Sequence, residues 1–114
     1  KASVNEAKAR YRAVLNRRKE SENNLLTRLE MVFFKYNDAK RKMCLYRDSL
    51  LPRAQQALEV TRSAFESGTA DFMDFIDSQR ILLAFKLEFE RAKTNRMQRL
   101  AELEMLVGSE ISKK

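Results

Sequence analysis

Length, composition and charge already restrict the class of fold. The chain has 114 residues, of which only 2 are Gly and 1 is Pro, while 44% are hydrophobic and 34% are charged. Sandwiches, barrels and Rossmann units need Gly and Pro at many corners, so this composition excludes them and favours long helices. We therefore predict an all-α protein whose core is small for its length, because long helices form a rod.

The chain lacks the residues of common catalytic and metal sites. It contains no His, no Trp and a single Cys, and that Cys44 lies among apolar neighbours where a thiol acts as a small apolar side chain. Zinc sites, haem sites and Cys/His or Ser/His catalytic pairs each miss a member. We predict no catalytic residue, no metal site and no cofactor, and hence a protein that is not an enzyme.

No segment has the roughly 18 uncharged apolar residues that a membrane-spanning helix requires. The densest apolar run is only residues 81–85. The sequence begins at Lys1 without an initiator Met or a signal peptide, and its helical pattern is already present at Val4. We therefore expect the chain to be part of a longer protein.

Apolar residues recur at alternating steps of three and four over the first half of the chain. This spacing predicts a long helix over residues 1–66 that buries a narrow seam against a partner helix. Arg18 interrupts the seam, which predicts locally weak packing there. The predicted seam positions are Val4, Ala7, Tyr11, Val14, Leu25, Leu29, Val32, Tyr36, Ala39, Met43, Tyr46, Leu50, Ala54, Ala57, Thr61 and Ala64.

Pro52 lies inside this first helix. Proline has no N–H to donate to the carbonyl of Asp48, so it weakens an ordinary helix interior. The spacing of apolar residues passes through Pro52 without an inserted loop, which predicts a continuous helix with a kink near Pro52. A break into two helices at this point is the alternative.

A hairpin turn is predicted at residues 67–70. Gly68 can adopt the left-handed conformation that ends a helix, and Asp71 can cap the next one. A return helix follows over residues 71–108, with a wider apolar face, and residues 109–114 are predicted to form a disordered tail. That face comprises Phe72, Phe75, Ile76, Gln79, Leu82, Leu83, Phe89, Leu100, Leu103 and Val107.

The two arms of this coiled-coil hairpin are unequal. At 1.5 Å per residue the first helix is about 100 Å long and the second about 57 Å. If residue i faces residue 137 minus i, Val107 reaches only Glu30, and residues 1–29 have no partner within the chain. Their exposed apolar stripe predicts that the isolated chain self-associates and that other helices cover it in the complete protein.

Charge is unevenly distributed along the chain. Residues 1–50 carry 13 basic and 6 acidic side chains, whereas residues 51–114 carry 10 of each. The basic residues lie on several helix faces among Glu residues, as on a solvated helix, so we predict no nucleic-acid binding, although this stays an alternative. A three-helix structural spacer broken at Pro52 is a second alternative. Acidic residues surround the hairpin turn: Glu66, Asp71, Asp74 and Asp77.

Two stretches resemble a known family. Residues 46–58 (YRDSLLPRAQQAL) and 64–80 (AFESGTADFMDFIDSQR) contain Leu-Leu-Pro, Gly-Thr, Asp-x-x-Asp and Gln-Arg in order. They resemble the carboxy-terminal repeat of TolC-like outer-membrane efflux proteins, slightly more in the heavy-metal branch than in the drug branch. The resemblance implies a trimer whose outer-membrane barrel continues into a periplasmic α-barrel in a Gram-negative bacterium, and this chain would form the second helical hairpin.

The resemblance also implies roles for individual residues. The turn would be the periplasmic tip, where Phe65, Gly68, Thr69 and Ala70 dock against a periplasmic adaptor (membrane fusion) protein, which connects to an inner-membrane pump. Asp74 and Asp77 match positions that line the constricted pore entrance. Phe65 and Ala70 replace a Tyr and an Arg that latch the closed entrance in the well-studied member, so that latch cannot form from these two side chains.

Overall fold

A computed structural model describes residues 2–112 of the chain, and Lys1, Lys113 and Lys114 lie outside it. The described residues contain no strand, which confirms the all-α prediction. They form a continuous first arm and an antiparallel second arm, joined by one turn. The elements are helix α1 (Ala2–Leu45), a π turn (Tyr46–Leu50), helix α2 (Leu51–Glu66) and helix α3 (Phe72–Ser112).

The molecule is a thin rod. Its radius of gyration is 26.3 Å and its principal extents are 96 × 22 × 14 Å. A globular domain of this length has a radius of gyration of about 13 Å. The long axis matches the length expected for one continuous first arm, so a compact three-helix spacer broken at Pro52 is excluded.

A π turn lies directly before Pro52 and keeps the first arm continuous. The Leu51 N–H donates to the carbonyl oxygen of Tyr46, five residues earlier, instead of four. Leu45 and Leu51 keep right-handed helical dihedral angles on either side. Pro52 then lies in the first turn of α2, directly after the π turn, so its missing N–H falls where the regular hydrogen-bond ladder is already interrupted.

The seam of the first arm is buried by α3 much as the spacing predicts, with one exception. Ala57 is exposed, and Leu58 is buried in its place at 6% exposure. The π turn inserts one residue into the helix, so Ala54 and Leu58 lie on the seam instead of Arg53 and Ala57, which strictly alternating steps would reach. The predicted positions Ala54, Thr61 and Ala64 are kept. The buried side chains of the first arm are Val32, Ala39, Met43, Ala54 and Leu58.

The wide apolar face of α3 consists of two separate stripes. One is a seam with strict steps of three and four, buried or half-buried against the first arm: Phe75, Ser78, Leu82, Phe85, Phe89, Ala92, Arg96, Arg99, Leu103 and Leu106. The other, which we call the outer stripe, lies about a third of a turn further round the helix and is exposed. Its members are Phe72, Leu83, Leu87, Met97, Leu100, Val107 and Ile111.

Arginine residues occupy the α3 seam far from the turn. The guanidinium of Arg96 lies 3.9 Å from the sulfur of Met43 and 6.0 Å from the ring centroid of Tyr36. Arg99 pairs with Glu102 at 2.7 Å along α3. Long basic side chains cover apolar surface with their stems while their charged ends stay solvated. The seam is therefore more polar here than near the turn.

Helix α3 continues past its predicted end at Gly108 to Ser112. Among the described residues only Gly68 has a positive φ, so Gly108 remains in a helical conformation, which costs about 1 kcal/mol relative to Ala. A disordered tail therefore does not begin at residue 109, and its last two residues lie outside the described range. Because α3 is longer, it reaches the level of Leu25, and both Leu25 and Leu29 are half-buried.

Beyond that level α1 has no partner. Every side chain from Ser3 to Asn24 is exposed, so the uncovered arm spans residues 3–24 rather than 1–29 in the described structure. Its stripe of Val4, Tyr11 and Val14 is more than half exposed at each position. We call residues 3–24 the free arm.

Candidate functional site

The hairpin turn is built on the backbone carbonyl of Ala64. This oxygen accepts hydrogen bonds from the N–H groups of Thr69 at 2.8 Å and Ala70 at 3.1 Å. The hydroxyls of Ser67 and Thr69 each donate to it as well, both at 3.1 Å. Carbonyls at the end of a helix have no intrahelical partner, so these bonds both cap α2 and fix the shape of the turn.

Gly68 makes the reversal possible. Its φ is +78°, and its N–H donates to the carbonyl of Phe65 at 3.1 Å. A Cβ placed on Gly68 would meet no atom within 4 Å. The requirement for glycine therefore comes from the left-handed backbone alone and not from a close neighbour.

Three phenylalanine rings pack across the base of the turn. The Phe65 ring lies parallel to Phe75 with centroids 6.0 Å apart, and tilted against Phe72 at 5.5 Å. The guanidinium of Arg62 lies 5.9 Å from the Phe75 ring centroid. Phe65 and Phe72 nevertheless remain 40% and 50% exposed. The rings hold the two helices together and present apolar surface at the end of the rod.

Carboxylates occupy a third face of α3 next to the turn. Asp74 and Asp77 are exposed and lie three residues apart, so they point to the same side of the helix. Around the circumference of α3, the seam and the outer stripe are separated by a narrow gap on one side and a wide gap on the other. Asp74 and Asp77 lie in the wide gap. Asp77 pairs loosely with Arg80, at 4.0 Å, and the N–H of Asp74 donates to the carbonyl of Asp71 at 3.2 Å.

The structure brings the residues singled out from sequence to one end of the rod. Phe65, Gly68, Thr69 and Ala70 form the turn and its base, and Asp74 and Asp77 follow within the first two turns of α3. Sequence reasoning missed the hydroxyl pair of Ser67 and Thr69, whose oxygens lie 3.1 Å apart. A Ser-x-Thr pattern around a turn glycine was the available signal. We call residues 64–77 the tip.

Other parts of the described structure show no competing site. No three His, Cys, Asp or Glu side chains in residues 2–112 come together as a metal site would need. None of the helices in this range has an apolar stretch long and uncharged enough to cross a membrane. The half-buried Cys44 has the Arg47 guanidinium 3.7 Å from its sulfur.

Comparison with known proteins assigns the family. The model of the outer membrane efflux protein family matches residues 1–109. Neither the curated proteins nor the solved structures gave a match to the chain. Since the family match covers nearly the whole chain, and the rod of paired helices agrees with it, the chain belongs to the outer membrane efflux proteins, a family of transport channels and not of enzymes.

Proposed function

We propose that this chain is one helical hairpin of the periplasmic tunnel of a trimeric outer-membrane efflux channel. Its tip forms part of the tunnel entrance. Phe65, Gly68, Thr69 and Ala70 dock against a periplasmic adaptor protein, and Asp74 and Asp77 line the pore constriction. The hairpin catalyses no reaction and is a passive wall, because the energy for export comes from an inner-membrane pump reached through the adaptor.

The observation that carries this proposal is the division of α3 into three faces. The seam packs against the first arm, and the outer stripe is apolar yet exposed in the single chain. An apolar stripe of that length on a helix marks a contact with another helix. A helix that contacts other helices on two sides can form part of a closed helical barrel. Its remaining faces then point into the tunnel and out towards the periplasm. Asp74 and Asp77 lie on such a remaining face.

The free arm supports the same architecture. Its helix is regular, but its apolar side chains at Val4, Tyr11 and Val14 have no cover within the chain. Other helices of a longer channel protein would cover them, next to the outer membrane, where family members continue into a membrane barrel. The tip would then lie at the opposite, periplasmic end of the rod.

The shape of the tip supports docking. The four hydrogen bonds to the Ala64 carbonyl and the stacked rings of Phe65 and Phe75 make the turn a rigid surface before any partner binds. A surface that is already ordered loses little conformational entropy on association. Exposed aromatic area at such a surface is typical of sites that contribute most to binding energy.

Site-specific photo-crosslinking in the intact channel tests the docking role. A photoreactive amino acid at Thr69 or Ala70 should crosslink to the adaptor protein in cells. The same amino acid at Glu59, exposed on α2 but more than one helix turn from the tip, is the matched control and should crosslink far less. Efficient export together with no adaptor crosslink from the tip positions would contradict the proposal.

A further inference from the structure

The π turn at Tyr46–Leu50 is the one interruption of regular α-helix within the first arm as described. Its hydrogen bond joins Leu51 to Tyr46 over five residues, and Pro52 follows, with no N–H to offer the carbonyl of Asp48. None of the five residues is buried. Helices bend where a π turn or a proline interrupts the regular ladder of hydrogen bonds, and here both occur together.

The π turn also divides the packing of the hairpin into two parts. On the tip side a buried cluster forms from Ala54, Leu58 and Leu82, with Phe75 and Phe85 packed against it. On the other side the seam contains Met43 and the two arginines described above. At the π turn itself, the edge of the Tyr46 ring packs against Phe85, with centroids 5.6 Å apart. The tip side is thus a packed unit that begins where the regular helix resumes.

The inserted residue is visible in the seam. Strictly alternating steps of four and three lead from Ala39 through Met43 and Tyr46, and continued in the same order they would reach Arg53, Ala57 and Val60. The structure instead exposes Ala57 and leaves Val60 67% exposed, while Leu58 and Thr61 face α3. One residue removed from the π turn would therefore restore an unbroken α-helix with the same side chains on the seam.

We propose that the π turn forms a pivot on which the tip side of the hairpin tilts relative to the rest of the rod. This inference rests on the proposed function, because in a channel such a tilt would move the tips and change the width of the entrance. Helix α3 has no break opposite the π turn, so the two arms tilt together and do not separate. Because α3 is an uninterrupted helix, it resists bending and sets the preferred angle between the tip side and the rest of the rod.

The test is a variant without the inserted residue: deletion of Ser49 combined with Pro52→Ala. In this variant Leu51, Ala54 and Leu58 fall on a continuous seam of steps three and four, so we expect a folded and more heat-resistant hairpin. The matched control is Pro52→Ala alone, which keeps the inserted residue and should keep the π turn.

Two measurements on the full chain report the pivot. Hydrogen exchange of the amides of Arg47, Asp48, Leu50 and Leu51, which the parent, the control and the deletion variant share, should be about ten-fold slower in the deletion variant than in the other two proteins. Spin labels on Cys residues introduced at Lys35 and Ser63, in a Cys44→Ser background diluted with unlabelled chain, should lie about 40 Å apart. Their distance distribution should be clearly broader in the parent and the control than in the deletion variant. Equal widths, or equal exchange, would overturn the pivot.

Export in the intact channel separates the pivot from the proposed function. We expect the deletion variant to assemble and to crosslink to the adaptor through Thr69 as the parent does, but to export several-fold more slowly. Export at the parent's rate by a variant with a narrowed distance distribution would overturn the pivot as a moving part and leave the channel assignment intact. If the parent channel gave no crosslink to the adaptor through Thr69, the proposed function itself would be contradicted.

Discussion

Phe65 and Phe75 face each other across the two helices at the tip, with their ring planes 6° apart and their centroids 6.0 Å apart. Aromatic pairs of this kind add about 0.5 to 1.5 kcal/mol beyond the area that they bury. The pair is thus one of the few contacts that fix how α2 enters the turn and how α3 leaves it. The Arg62 guanidinium, 5.9 Å from the Phe75 ring centroid, adds a cation–π contact to the pair.

Replacement of one ring should measure this contribution. We expect Phe75→Leu to lower the free energy of unfolding by about 1 kcal/mol, because leucine keeps apolar volume but loses the ring pairing. The matched control is Phe34→Leu at a ring that is 71% exposed on α1, where we expect almost no change. Urea unfolding followed by circular dichroism gives both values. Equal effects at the two positions would show that the ring pair contributes nothing specific.

The turn glycine gives a second prediction. Gly68→Val should destabilise the hairpin by about 1 to 2 kcal/mol, because a β-branched residue resists φ of +78° although it would meet no neighbouring atom. Gly68→Asn should cost clearly less, since asparagine tolerates the left-handed region. Thermal melting ranks the three proteins. In the intact channel we expect the valine variant to assemble as a trimer and lose export, and unchanged export would show that the adaptor does not depend on the turn geometry.

Much of this architecture follows from the spacing of apolar residues, and the departures have physical causes. The hairpin, the turn at Gly68 and the unpaired arm all follow from steps of three and four and from a single left-handed glycine. The shift from Ala57 to Leu58 does not, because apolar spacing cannot distinguish a kinked α-helix from one that absorbs a residue in a π turn. The predicted end of the return helix at Gly108 is wrong for a related reason. A glycine ends a helix only when it adopts the left-handed conformation, and Gly108 stays helical.

The candidate site was predictable to a similar extent. The acidic residues and the turn are local in sequence, so their neighbourhood at one end of the rod was expected. The stacking of Phe65 on Phe75 and the four donors on Ala64 depend on the angle at which the helices meet. The sequence predicts one wide apolar face on α3 and does not separate the outer stripe from the seam, since a helical pattern alone does not show which apolar residues the partner covers.

The free arm predicts association of the isolated chain. We expect oligomers in sedimentation velocity at micromolar concentration, because the stripe through Tyr11 and Val14 is exposed on a regular helix. The double change Tyr11→Glu with Val14→Glu should shift the chain towards monomer. Ala9→Glu with Ala13→Glu adds the same charge on the opposite face and should not. A monomer in the parent, or equal effects of the two pairs, would show that the stripe is not the contact.

Two carboxylates in ion pairs, Asp38 and Asp48, predict a small acid dependence of stability. Hydrogen bonding to Arg41 and then to Lys42 lowers the pKa of Asp38, and hydrogen bonding to Arg47 lowers the pKa of Asp48. A carboxyl with a lowered folded-state pKa stabilises the fold above its unfolded pKa, and this is lost as the pH falls below 3.8. Asp38→Asn should therefore flatten the acid limb of the stability profile, whereas Glu30→Gln should not. If the free energy of unfolding of Asp38→Asn fell at low pH as steeply as that of the parent, the ion pairs of Asp38 would not contribute to the acid dependence.

Single-channel recording of the intact trimer tests the central claim most directly, that the tip of this hairpin forms an acidic pore entrance. Three copies each of Asp74 and Asp77 around one axis would attract cations and would bind a trivalent cation added from the periplasmic side. We predict a cation-selective channel blocked by such an ion, and loss of both properties in Asp74→Asn with Asp77→Asn. The change Glu88→Gln with Glu90→Gln, further along α3, is the control and should keep them. Unaltered selectivity and block in the aspartate variant would contradict the account and leave these residues as acids at the start of a helix.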